Sequence, residues 1–154
     1  MFKFAFVLLL AISATQAQSY WSGCPGILGP TTLTSPVCSG SACTVVQGTT
    51  SVFQSTISFT RAHSHLMTRL TVFLGGVGVV IPQTPPHDNG CNALFRDGVQ
   101  VGCPTIPNVP TRYDLTLTIT TGTPVTNNAN VRFELLENGV VEVCANIVAN
   151  IVAA

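Results

Sequence analysis

Residues 113–120 read YDLTLTIT, and no other stretch limits the possible folds of this chain so tightly. In an extended backbone Leu115, Leu117 and Ile119 point one way, while Asp114, Thr116, Thr118 and Thr120 point the other. A period of two marks a strand with one face on a core and the other in water. The same alternation recurs. SVFQSTISFT (51–60) sets Phe53, Ile57 and Phe59 against Gln54, Thr56 and Ser58, and RLTVFL (69–74) puts Leu70, Val72 and Leu74 on one face. VRFELLENGVVEVCANI (131–147) predicts a hairpin turning at Asn138-Gly139, a pair suited to the left-handed conformations of a tight turn. Val131, Phe133 and Leu135 face inward before that turn, and Val141, Val143, Ala145 and Ile147 after it. Helix signals are nearly absent, and Gly, Pro, Asn and Asp separate the alternating runs. The pattern predicts an all-β chain folded as an antiparallel two-sheet sandwich.

The first residues, MFKFAFVLLLAISATQA, have a positive start at Lys3, an apolar stretch and a small-residue cleavage site. They read as a secretory signal peptide over 1–17, leaving one domain over 18–154. The six cysteines, Cys24, Cys38, Cys43, Cys91, Cys103 and Cys144, all follow it, and an even count in a short exported chain reads as three disulfides. Beyond Lys3 there is no lysine, only five arginines against six acids. That leaves no basic footprint for nucleic acid and little attraction to anionic membranes. With 46% hydrophobic and 8% charged residues, the chain has much apolar side chain to place, in a core or around a cavity.

Six cysteines allow fifteen pairings. Spacing narrows them: Cys38 and Cys43 bracket a small loop, Cys91 and Cys103 flank a turn-rich segment, and Cys24 and Cys144 remain near the two ends. The order of Cys24, Cys38-x4-Cys43, Gly48, the Gly78-to-Pro82 segment, Asn89-Gly90-Cys91, Cys103-Pro104, Tyr113, Thr123-Pro124 and Cys144 resembles the ML lipid-recognition domain. That family includes the soluble Niemann–Pick type C sterol carrier and the group 2 mite allergens. The resemblance implies an immunoglobulin-like sandwich with an apolar cavity between its sheets. It also implies the pairings Cys24–Cys144, Cys38–Cys43 and Cys91–Cys103, and a cavity rim formed by residues 78–84 and by Thr123-Pro124. Gln83 and Thr123 stand where sterol carriers have aromatic rim residues, and Phe133 stands where they have tryptophan, so the rim fits an apolar ligand without singling out cholesterol.

The expected pocket lining is Phe53, Ile57, Phe59, Leu70, Val72, Leu74, Val79, Ile81, Pro82, Ile119, Pro124, Val131, Phe133 and Leu135, although such residues also fill ordinary close-packed cores. Gln83, Thr84, His87 and Thr123 are rim positions that meet a headgroup or water. His63-Ser64-His65 lacks a third metal ligand nearby in sequence and any nucleophile elbow, so it reads as a solvated loop. Glu134, Glu137 and Glu142 read as solubilising charges on a hairpin. The expectation is a secreted or endolysosomal-lumen, monomeric lipid-binding or lipid-transfer protein. It is expected to have no catalytic residues, metal or cofactor, and to take up a sterol, fatty acid or other small apolar ligand for delivery to a membrane or receptor. The alternative is an innate-immune recognition or adhesion module that uses a sandwich surface and keeps a filled core.

Overall fold

A computed structural model of the protein describes residues 19–154; the expected signal peptide lies outside them. Among the described residues, twelve strands form two sheets. In chain order they are β1 (Trp21–Gly23), β2 (Thr32–Thr34), β3 (Cys38–Ser39), β4 (Ala42–Val46), β5 (Thr50–Ser58), β6 (Met67–Leu74), β7 (Val77–Ile81), β8 (Leu94–Arg96), β9 (Val99–Gln100), β10 (Pro110–Thr118), β11 (Thr126–Glu137) and β12 (Val140–Val152). One sheet has seven strands, ordered β3-β4-β12-β11-β6-β7, with β1 also paired to β12. The other has five, ordered β2-β5-β10-β8-β9. The predicted all-β sandwich is therefore the observed architecture.

One strand pair departs from the antiparallel expectation. β12 has thirteen residues, more than either short neighbour on its outer side can cover. β1 runs antiparallel beside Ala145–Ile147, and β4 runs parallel beside Ala149–Val152. The hairpin turn at Asn138-Gly139 forms as predicted, with φ of 51° and 80°, both in the region that favours these residues. Past the turn, a bulge shifts the register: Leu135 opposes Val143, but Leu136 opposes Val141, which leaves Glu142 as the extra residue. Val143, Ala145 and Ile147 face inward and are buried as expected, whereas Val141 is moved to the outer face beside Leu136 and is half-buried.

The two inner faces meet in a tightly packed core. Phe53 and Ile57 of β5, Leu70 and Val72 of β6, Leu115 and Leu117 of β10, and Val131, Phe133 and Leu135 of β11 are each at most 2% exposed. The Tyr113 ring lies against the Phe133 ring, centroids 5.1 Å apart, in an offset stack that joins the sheets. Cys24–Cys144 fastens the segment after β1 to β12, Cys38–Cys43 closes the β3–β4 hairpin, and Cys91–Cys103 ties a short 3₁₀ turn (Gly90–Ala93) to the loop after β9.

Candidate functional site

β7 is the outer edge of the seven-stranded sheet. It pairs with β6 through Val77↔Leu74, Val79↔Val72 and Ile81↔Leu70, and among the described residues its other side has no strand neighbour. Gly78 sits where an added Cβ would come within 3.0 Å of the Phe73 ring and 3.1 Å of Thr71, so this strand lies close against β6 only because that position lacks a side chain. From Leu70 to Pro86 there is no charged residue, and Val77, Val79 and Val80 are 49–66% exposed. Natural sheet edges are usually guarded by charge. This one is apolar and ends at Pro82.

An open cleft of about 270 Å³ runs along the inner side of β7. Its walls are Val72, Leu74, Val79, Val80, Ile81 and Pro82, with Thr120, Gly122 and Thr123 of the β10–β11 loop opposite. The side-chain amide of Gln47 donates to the carbonyl oxygen of Thr123, tethering that loop to the turn after β4. Among the expected lining residues, Val72, Leu74, Val79, Ile81 and Pro82 meet in this cleft. Phe53, Ile57, Phe59, Leu70, Ile119, Val131, Phe133 and Leu135 instead lie in the packed interior behind it, each at most 1% exposed. Pro124 is exposed and lies outside the cleft wall. Of the polar rim positions, Thr123 joins the wall, Gln83 turns back to donate to the Ile81 carbonyl at 3.2 Å, and Thr84 and His87 face solvent. Val80, Thr120 and Gly122 were not anticipated. With Val79 and Ile81 on the inner face, alternation leaves Val80 pointing the other way, and a loop facing a strand across the sandwich leaves no periodic trace.

The opposite end of the sandwich is polar and tightly tied. His63, read from sequence as solvated, is 2% exposed. Its Nδ1 lies 3.0 Å from Glu137 Oε2, and its ring meets Phe59 edge-on, centroids 5.3 Å apart. Glu137 is also buried, because it continues the inward-facing series Val131, Phe133, Leu135 to the last residue of β11. The backbone N–H groups of Ser64 and His65 donate to its Oε1 at 2.9 and 3.3 Å, and Arg61 reaches its Oε2 at 3.0 Å. The bulge residue Glu142 takes the other side of the Arg61 guanidinium at 2.5 Å. The His63 hydrogen bond, helped by those two N–H donors against the effect of burial, holds the Glu137 carboxyl down at about 2. Glu134 is buried as well, paired with Arg69 directly across β11 and β6 at 2.6 Å. These acids are structural partners rather than the solubilising charges expected.

His63, Glu137 and Glu142 present donor atoms within 4.8 Å of one another, a spacing that a metal ion can use. Arg61 already bridges the two carboxylates, so a guanidinium stands between them and offsets one of their two charges. The cluster has the chemistry of a clasp that joins the β5–β6 loop to the β11–β12 hairpin. His63 N also donates to Thr105 Oγ1 at 2.8 Å, and Thr105 N to the His63 carbonyl at 3.0 Å, which extends the clasp to the loop after Cys103.

The ML-domain family model matches residues 18–151, nearly all of the chain. The protein belongs to the ML-domain family. Among solved structures, this ML domain resembles a Niemann-Pick type C2 protein from Japanese carpenter ant with a TM-score of 0.69 and 14% identity, over 86% of this chain and 98% of that one. It also resembles chicken MD-1, solved in complex with lipid IVa, with a TM-score of 0.51 and 11% identity, over 83% of this chain and 85% of that one. At these identities the likeness is one of fold. No curated protein matches the sequence.

Proposed function

We propose that this ML domain binds an apolar ligand or lipid between its two sheets, entering along β7. The observation that carries the reading is the open apolar cleft, whose inner wall is continuous with the core through Val72 and Leu74. Burial removes apolar ligand surface from water at about 25 cal/mol per Å², so affinity needs no special polar group. The interior residues touch one another, so uptake requires the sheets to separate at the cleft. Family membership supports the same reading, as does the lipid present in the chicken MD-1 structure.

The ligand is reversibly sequestered and then released to a membrane or a receptor, without bond-making chemistry. Three disulfides support export to an oxidising compartment, extracellular or lumenal, with residues 1–17 as the leader and 18–154 as a monomeric domain. The filled core favours a second reading, a recognition module that acts through an outer face.

The two are separated by native mass spectrometry and organic extraction of protein from its secretory source, followed by uptake assays with sterol, fatty acid and an apolar fluorescent probe. A co-purifying lipid or saturable uptake is expected. An empty protein that takes up none of the three overturns the pocket reading in favour of the surface module.

A further inference from the structure

In the packed interior, the Tyr113 hydroxyl of β10 and the Thr68 hydroxyl of β6 meet across the two sheets at 2.7 Å. Tyr113 is 1% exposed and Thr68 5%. Each hydroxyl carries one proton, and only one of the two can be donated within the pair. Neither oxygen makes another side-chain hydrogen bond among the described residues. One buried O–H is therefore left without an acceptor, whichever group donates to the other. Leaving a buried donor unmet is unfavourable, and natural interiors seldom do it.

The pair also occupies a particular place. The cleft runs from Leu74 at one end of β6 to Ile81, paired with Leu70, and Thr68 lies two residues beyond Leu70 and six back from Leu74 along the same strand face. At the strand rise that separation is about 20 Å. Leu70 and Val72 lie between them on the inner face, with Phe133 stacked on Tyr113. An apolar chain that enters at the cleft and runs the length of the sandwich ends at the two hydroxyls.

We propose that the Thr68–Tyr113 pair is the inner terminus of the ligand path, and that it selects an elongated apolar molecule whose leading end carries a neutral, acceptor-only oxygen: the carbonyl of an ester, ketone or aldehyde. This rests on the pocket reading above and adds the ligand's chemical class and its direction. A carbonyl accepts the spare proton and brings none of its own, so the count closes. An alcohol closes the count only by also returning its own proton to the pair's other oxygen, a three-membered ring of hydroxyls that needs a narrower geometry than the single bond a carbonyl makes. An ionised carboxylate is excluded from this end, because the inward faces of β5, β6, β10 and β11 hold no arginine or lysine and their one charge is the anionic Glu137. A fatty acid therefore enters tail first and leaves its carboxylate at the rim.

The test uses the full secreted protein with methyl palmitate, palmitate and hexadecane as probes, each displacing an apolar fluorophore, and infrared spectroscopy of the bound ester. Tyr113→Phe and Thr68→Val each leave one hydroxyl with one proton to donate. The double variant leaves none, and replacing both partners by apolar groups of similar shape is close to neutral for folding. In the wild type the carbonyl stretch of bound methyl palmitate is expected to fall to lower frequency. Each single variant keeps that shift. The double variant loses it and weakens methyl palmitate about tenfold, with hexadecane and palmitate unchanged within about twofold. A merely structural role for the pair would weaken all three probes together, which overturns the proposal. An unshifted stretch in the wild type also overturns it, by assigning the spare proton to a buried water while the pocket reading stands. If the double variant does not fold, that wild-type spectrum decides. Failure of the wild type to bind any probe removes the pocket reading, and this inference with it.

Discussion

Two of the three disulfides form a matched pair for measuring how this fold is held closed. Cys24–Cys144 and Cys38–Cys43 both fasten the seven-stranded sheet, and each joins one fully buried cysteine to one half-buried one. Replacing either pair by alanine therefore removes similar local packing. The pairs differ in the loop they close, with sequence separations of 120 and 5. In the chain-entropy model those loops correspond to about 5 and about 2 kcal/mol of stabilisation through the unfolded state. Cys24→Ala with Cys144→Ala should thus destabilise by about 3 kcal/mol more than Cys38→Ala with Cys43→Ala. For a domain of this size the long-range variant should melt roughly 15–20 °C below wild type and the short-range variant roughly 6–8 °C below. Denaturant unfolding of all three proteins under non-reducing conditions gives the free energies directly. Equal losses, or a larger loss for the short loop, would refute the loop-entropy account and place the stabilisation in native contacts of the β3–β4 hairpin.

Further outcomes follow from the clasp and the cleft. The Glu137 carboxyl is held at about 2 against an ordinary value of 4.5, so its contribution is fully present above 4.5 and is lost as pH falls from there through about 2. Melting temperature should drop across that window in wild type, and Glu137→Gln should lower stability at neutral pH and flatten the acid slope; an unchanged slope argues against the His63–Glu137 bond. Val79→Asp, at a half-exposed cleft position, should leave stability within about 0.5 kcal/mol. It should weaken uptake of an apolar probe about tenfold by placing a charge on the ligand's path. Gly78→Val should cost about 1–3 kcal/mol by forcing a side chain against Phe73 and Thr71, read by denaturant unfolding.

What could be read from the sequence divides along physical lines. Alternation in YDLTLTIT and SVFQSTISFT is a property of one strand against a core, and Leu115, Leu117, Phe53 and Ile57 lie buried as that alternation requires. The turn at Asn138-Gly139 is equally local, since those two residues supply its backbone angles. The inward run Val131, Phe133, Leu135 extends by the same parity to Glu137, but a carboxylate at that position reads as a surface charge until its partners are known. Those partners, His63 and the Ser64 and His65 N–H groups, lie over seventy residues away in sequence. Val141 was misplaced because a bulge changes parity without a residue type that announces it. The cleft was half legible: β7 contributes a periodic apolar strand, whereas Thr120 and Gly122 reach it through a loop whose position depends on tertiary packing.

The unequal fastening of the two ends has a mechanical consequence. At the β11–β12 turn, Arg61, His63, Glu137 and Glu142 knit two loops together, and Thr105 adds a third. Beside β7, by contrast, a five-residue strand hangs on one ladder and the facing loop on the Gln47 tether. A force parting the sheets therefore meets a compliant side and a stiff one, and the sandwich pivots instead of expanding evenly. The clasp is placed to act as the fulcrum of a wedge, so that a small rotation there becomes a wide gap at Val79 and Thr123.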